Sequence, residues 1–235
     1  MLKTADLDQH KQLLLLAFPM ILSNITVPLL GLVDTAVIGH LPYAYFLGGS
    51  TIGAMIITSI TWLCGFLRMS TTGLSAQAYG LNNINQNLLV LLRGILVAFV
   101  IGFSLVLLQS PFINIALNLA GGSEQVQFYA RQYSEIRIWG LPAALANLVI
   151  LGWLLGNHKT RAVMWLLIAT NLINIGLDLL FVFGFQWQVQ GVASATIIAE
   201  YSGMFLGLFV VYSHYHLAAK PLLSDSKRLV SSLLE

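Results

Sequence analysis

Charge is what this sequence lacks most. Only 9% of its 235 residues are charged, while 57% are hydrophobic and the mean hydropathy is +0.82. Soluble domains carry about 25% charged residues, and a chain this poor in them cannot clothe a globule in solvated side chains. That shortage excludes a cytosolic enzyme, a nucleic-acid-binding module and a disordered protein. Cysteine is almost missing too. Cys64 stands alone in an apolar run, forms no intrachain disulfide and reads as a small buried hydrophobe. There is no His-Glu-x-x-His, no phosphate-binding loop and no Gly-x-Ser-x-Gly. An intramembrane enzyme and an ATP-driven pump domain therefore have no support, and no cofactor is expected. Alternating ten-residue strands are also lacking, which excludes an outer-membrane barrel.

What the chain has in abundance is apolar runs. A bilayer core needs about 20 mostly apolar residues per helix. Six segments meet that length, at residues 13–39, 44–67, 88–109, 138–156, 162–185 and 192–215. The expected fold class is all-α, a polytopic membrane protein of six transmembrane helices. The first run is too long for a signal-peptide core and no small-residue cleavage site follows it, so it reads as a retained span. Breakers mark the connections: His40-Leu41-Pro42, a long stretch at 70–86, another at 111–133 containing Gly121-Gly122-Ser123, a turn at 157–160 and a turn at 186–191. Arg131 and Glu135 form an i,i+4 pair where the fourth helix enters the membrane. Trp187, Tyr43 and Tyr215 suit interfacial anchoring.

With the N-terminus in the cytoplasm, nine basic residues fall on the cytoplasmic side: Lys3, Lys11, Arg68, Arg93, Lys159, Arg161, Lys220, Lys227 and Arg228. Only Arg131 and Arg137 fall outside. This asymmetry places both termini in the cytoplasm. Residues 1–216 read as one six-helix transmembrane lobe and 217–235, where the chain turns polar, as a cytoplasmic linker. His214 and His216 lie at the cytoplasmic end of the last span, at a solvated interface.

Three acids fall inside the spans, Asp34, Asp178 and Glu200. A carboxylate in the bilayer costs a few kcal/mol, faces a bundle interior or aqueous cavity, and marks a pathway. Asp34 shares its helix with Pro19, Pro28 and Gly31, and proline frees carbonyls that need partners or water. Asn171, Asn174 and Asp178 recur along one helical face, a polar stripe that reads as interhelical hydrogen bonding or as a site for an ion or proton. Glu200 has Thr196 one turn before it and reads either as a direct participant or as the partner of a neighbouring residue. Asn147 follows Gly140 and Pro142 and offers a carbonyl. Oxygen ligands without a Cys or His cluster suit Na⁺ or a proton rather than zinc.

These residues carry a family pattern. Residues 19–41 read Pro-Met-Ile-Leu-Ser-Asn-Ile-Thr-Val-Pro-Leu-Leu-Gly-Leu-Val-Asp-Thr-Ala-Val-Ile-Gly-His-Leu, and 68–80 read Arg-Met-Ser-Thr-Thr-Gly-Leu-Ser-Ala-Gln-Ala-Tyr-Gly. Leu141-Pro142, Ala146-Asn147-Leu148, Gly152 to Gly156, Asn171 to Asn174, Asp178, Gln190 to Ala193, and Ala199-Glu200-Tyr201 continue it. Over residues 10–216 the chain resembles the multidrug and toxic compound extrusion family, in its DNA-damage-inducible F branch. The resemblance implies an inner-membrane antiporter that expels organic cations or other toxic compounds against inward H⁺ or Na⁺. It implies a cation or proton site of Asp34, Asn147, Asn174, Asp178 and Thr196, with helix bending at Pro19. The residues themselves add Asn171 and Glu200 as further candidates and Pro28 as a second bending point. Family members have twelve spans in two six-helix lobes, and only the first lobe is present here. The expected partners are cationic small molecules, the lipid bilayer, and a separate carboxyl lobe or a second copy, with no nucleic acid. Two other readings are a lipid-linked precursor flippase, which favours a basic cavity, and a non-transporting membrane fragment acting as an assembly partner.

Overall fold

The computed structural model describes residues 21, 25 and 29–232, with side chains described as far as Tyr215. Pro19, Pro28, Lys3, Lys11 and the start of the first expected span lie outside the described residues, as do the side chains of His216, Lys220, Lys227 and Arg228. The described chain is helical without strands. In order it forms α1 (Leu29–Gly39), α2 (Ala44–Leu63), α3 (Phe66–Gly80), α4 (Ile84–Leu107), α5 (Gln109–Ala120), α6 (Glu124–Arg137), α7 (Leu141–Gly156), α8 (Thr160–Leu179) and α9 (Gln188–Ser232). Among the described residues, five stretches are long and apolar enough to cross a bilayer: Ala44–Gly80, Ile84–Leu107, Glu124–Gly156, Thr160–Gly184 and Gln188–Tyr215. Of the first expected span, the described part is the shorter apolar helix α1.

Two connections expected from sequence are helical instead. The stretch 70–86 is α3 as far as Gly80, separated from α2 only by a break at Cys64 and Gly65, whose amides donate to Ile60 and Trp62 carbonyls at 3.0 Å. Gly73, Gly80 and three asparagines made this stretch look like a loop. In the fold its hydroxyl-bearing residues give α3 a slim face that fits against α7. A Cβ at Gly152 would come within 2.6 Å of the Arg68 carbonyl oxygen, and one at Gly156 within 2.7 Å of the Thr72 carbonyl. Small residues four apart let two helix backbones approach this closely.

The stretch 111–133 is likewise not a loop. It holds most of α5 and α6, joined at Gly121 (φ 68°) and Gly122 (φ 109°), a left-handed turn natural only to glycine. Ser123 caps α6 by accepting from the Val126 amide at 3.4 Å. The fourth membrane stretch therefore begins at Glu124 rather than at 138, and runs through a 3₁₀ turn at Ile138–Gly140 into α7.

Helix α7 is apolar on all sides because it is enclosed on all sides. It packs against α3, α4 and α9, and Leu141, Leu145, Val149, Ile150 and Leu154 are fully buried. Near its end Asn157 pairs with the buried amide of Asn87 on α4, and the Trp153 indole donates to the Asn87 carbonyl at 3.0 Å. A second apolar cluster, with Val37, Ile38, Phe46, Tyr133 and Val192, ties α1 and α2 to α6 and α9. Helix α9 runs unbroken over the polar stretch after Tyr215 as far as Ser232.

Candidate functional site

Three helices bring the sequence candidates together. Helix α8 lines up Asn171, Asn174 and Asp178, of which Asn174 is 1% and Asp178 0% exposed. Directly after α8 the chain widens into a π-helical turn at Leu180–Gly184, closed by the Phe185 amide on the Leu180 carbonyl at 3.0 Å. Such turns displace one residue from the helical ladder and recur at functional sites. Helix α1 supplies Asp34, which faces Asp178 within electrostatic range but without a hydrogen bond of regular geometry. Helix α9 supplies Thr196, whose hydroxyl accepts from Asn174 Nδ2 at 3.3 Å and donates to the Val192 carbonyl at 2.9 Å.

The result is a pocket of unpaired oxygen. Asp34 Oδ1, both oxygens of Asp178 and Asn174 Oδ1 are buried with no hydrogen-bond partner, and Asn171 Nδ2 is in the same position. Burying a polar atom without a partner is costly, and native folds rarely do so without a reason. Four such oxygens from two helices can surround a small cation or share a proton.

Asp34 stands at the wall of a cleft of about 700 Å³ between α1 and α2. Leu47, Met55, Trp62 and Leu63 give it apolar walls, and Trp62 is 84% exposed. Thr35, Ser50, Thr51 and Ser59 also line it, and each donates its hydroxyl hydrogen to a carbonyl of its own helix. Their remaining lone pairs are acceptors. The cleft therefore pairs a greasy surface with acceptors and one acid.

Two candidates have other partners. Asn147 Nδ2 donates to the backbone carbonyl of Glu200 at 2.8 Å, and no hydrogen bond joins it to Asn174 or Asp178. Its Oδ1 is a further unpaired buried atom. Glu200 is the partner of a neighbour: Arg137 donates to it through both terminal nitrogens, each at 2.9 Å. Arg137 is thus buried, 8% exposed, where the sequence placed it in an external segment. The helix-start signal at Ser123-Glu124 would have found this, since it sets Tyr133 and Arg137 one turn apart on one face of α6. Tyr133, 5% exposed and lining the cleft, was not singled out from sequence either. Arg131 and Glu135 do pair as expected, 3.7 Å apart and exposed. The His214 ring meets Trp153 edge-on at 6.3 Å.

Residues 19–180 match the MatE family model. The DNA damage-inducible protein F of Escherichia coli (strain K12) is 52% identical over 204 residues, 87% of this chain and 44% of that protein. A probable multidrug resistance protein NorM of Thermotoga maritima is 26% identical over 86% of this chain and 44% of its own length. The same fold occurs in a crystal structure of MATE in the straight conformation, with TM-score 0.76 and 21% identity over 85% of this chain and 45% of that one. The chain thus spans less than half the length of these relatives, over their amino-terminal lobe. It is a multi-pass membrane protein that belongs to the MatE family of multidrug and toxic compound extrusion transporters.

Proposed function

We propose that the chain is the amino-terminal lobe of a secondary active efflux antiporter, which exports organic cations or other toxic compounds in exchange for H⁺ or Na⁺. The observation that carries this reading is the meeting of Asp34, Asn174 and Asp178, with unpaired buried oxygens, beside an open apolar cleft. Oxygen ligands of this kind suit a hard monovalent cation or a proton. The cleft suits a flat lipophilic cation, because its polar lining offers acceptors. Asp34 belongs to both, so one carboxylate can exchange the coupling ion for the substrate. Thr196 holds Asn174 in place and Asn171 extends the stripe on α8, while Asn147 and Glu200 are engaged with each other and with Arg137.

In this reading residues 1–216 form a six-helix lobe in the inner membrane, with both termini cytoplasmic and 217–235 leading away as a linker. Alternating access needs two bundles that rock about a shared cavity. A separate carboxyl lobe or a second copy supplies the opposing wall, and bending of the first helix at Pro19 or Pro28 reshapes the cleft.

The test is gradient-driven dye efflux from proteoliposomes. Efflux is expected when this lobe is joined to a carboxyl lobe and not from this polypeptide alone, unless cross-linking reveals a working homodimer. Asp178→Asn keeps the shape and removes the charge, so it should abolish coupling with little loss of expression. Unchanged coupling would reduce Asp178 to structural hydrogen bonding.

A further inference from the structure

Arg137 and Tyr133 stand one turn apart on the buried face of α6. Tyr133 lines the cleft together with Asp34, and Arg137 lies within electrostatic range of Asp34. Yet both terminal nitrogens of the guanidinium are committed to Glu200 of α9 at 2.9 Å, and its other polar neighbour is the Tyr133 hydroxyl. This pair is built into its position. It fills the notch left by Gly140, where an added Cβ would overlap Glu200 Oε2 and come within 2.8 Å of Arg137 Nη1. Asn147 pins the Glu200 backbone carbonyl from α7 at 2.8 Å.

The titratable groups facing this region are Asp34 on α1, Tyr133 and Arg137 on α6, Asp178 on α8 and Glu200 on α9. Pairing cancels Arg137 against Glu200. Asp34 and Asp178 are left without an ion pair to any described basic residue. A guanidinium stays charged under all ordinary conditions and binds carboxylates through a fixed fork. Released from Glu200, it would be a permanent internal cation beside Asp34, which Asp178 faces.

We propose that Glu200 is a positioning residue which holds Arg137 out of the Asp34–Asp178 site and so keeps that site open to an external monovalent cation. This rests on the reading of Asp34 and Asp178 as the cation site. It gives Glu200 a necessary role without contact to the ion. It also explains why an acid and a base are spent on each other inside the membrane, where a buried pair brings little net stability.

The experiment uses the full chain in lipid nanodiscs. The hydrophobic reagent dicyclohexylcarbodiimide attacks protonated carboxyls in apolar surroundings, and mass spectrometry reads its adducts at Asp34 and Asp178 separately. The wild type should be labelled at pH 7. Glu200→Gln should lower that labelling about tenfold, because an opposite charge brought to within about 4–6 Å favours the carboxylate. The double variant Arg137→Gln/Glu200→Gln should restore it. A merely structural pair predicts instead that the double variant is no better than the single. Should Glu200→Gln fail to fold, Glu200→Asp keeps the charge on a shorter arm and should give intermediate labelling, with wild-type labelling overturning the proposal. Labelling of Glu200→Gln equal to wild type, or no rescue in the double variant, also overturns it. A wild type unlabelled from pH 5 to pH 8 means that Asp34 and Asp178 stay ionised even with Glu200 in place, and overturns the proposal while leaving a Na⁺ site intact.

Discussion

Asn174 and Thr196 meet across 3.3 Å, joining α8 to α9 at the one point where the amide hydrogen of Asn174 finds an acceptor. Because the threonine hydroxyl already donates to Val192, it can only accept from Asn174. The amide is thereby fixed with its carbonyl oxygen unpaired, the orientation that the proposed cation site needs. Thr196→Val keeps the side-chain shape and removes the acceptor. Losing one neutral hydrogen bond of about 1 kcal/mol predicts a roughly fivefold weaker apparent affinity for the coupling ion. The check is the H⁺ or Na⁺ concentration that half-activates efflux in a two-lobed transporter carrying this lobe. An unchanged value would mean that Thr196 does not orient Asn174.

The contact between α3 and α7 depends on the absence of side chains at two positions. Gly152→Leu should separate these helices, since overpacking a close contact costs about 1–3 kcal/mol or more. Gly176 on α8 has open space around the position of a Cβ, so Gly176→Ala should be neutral or stabilising by up to about 1 kcal/mol. Thermal unfolding of the detergent-purified protein compares the two. Equal melting temperatures would refute the close-approach account of α3 and α7.

Orientation has a direct check in cysteine labelling on a Cys64→Ala background. Pro42→Cys lies in the turn between α1 and α2, and His158→Cys in the turn between α7 and α8. A membrane-impermeant maleimide added to intact cells should label Pro42→Cys at once and His158→Cys only after permeabilisation. The reverse pattern would invert the topology argued from the basic residues.

Much of this architecture was legible in the sequence, because apolar length and scarcity of charge are properties of single segments. The stripe Asn171, Asn174 and Asp178 was readable from helical spacing alone, and its meeting with Asp34 followed from the family pattern. What escaped depended on how segments fit together. The run of α3, punctuated by Gly73 and Gly80, looks like a loop until Gly152 and Gly156 give it a groove to occupy. Arg137 looks external when a hydropathy window starts its span at 138, because the amphipathic α6 before it dilutes the apolar average. Its burial is set by Glu200, 63 residues further along the chain, and no local pattern announces that pairing. Asn147 enters the cation set by resemblance and through its carbonyl; its nitrogen is committed to the Glu200 backbone, which leaves its Oδ1 unpaired.

Asp34, in the function proposed, exchanges a bound coupling ion for substrate, and ion release measures this most directly. In a purified two-lobed transporter carrying this lobe, a cationic dye such as ethidium is added while released H⁺ is followed with a pH indicator and released Na⁺ by isotope counting. The wild type should release one of these ions as the dye binds. Asp34→Asn mimics the protonated acid permanently, and should fold normally yet release neither. Equal release from wild type and Asp34→Asn would contradict the account and remove Asp34 from the exchange.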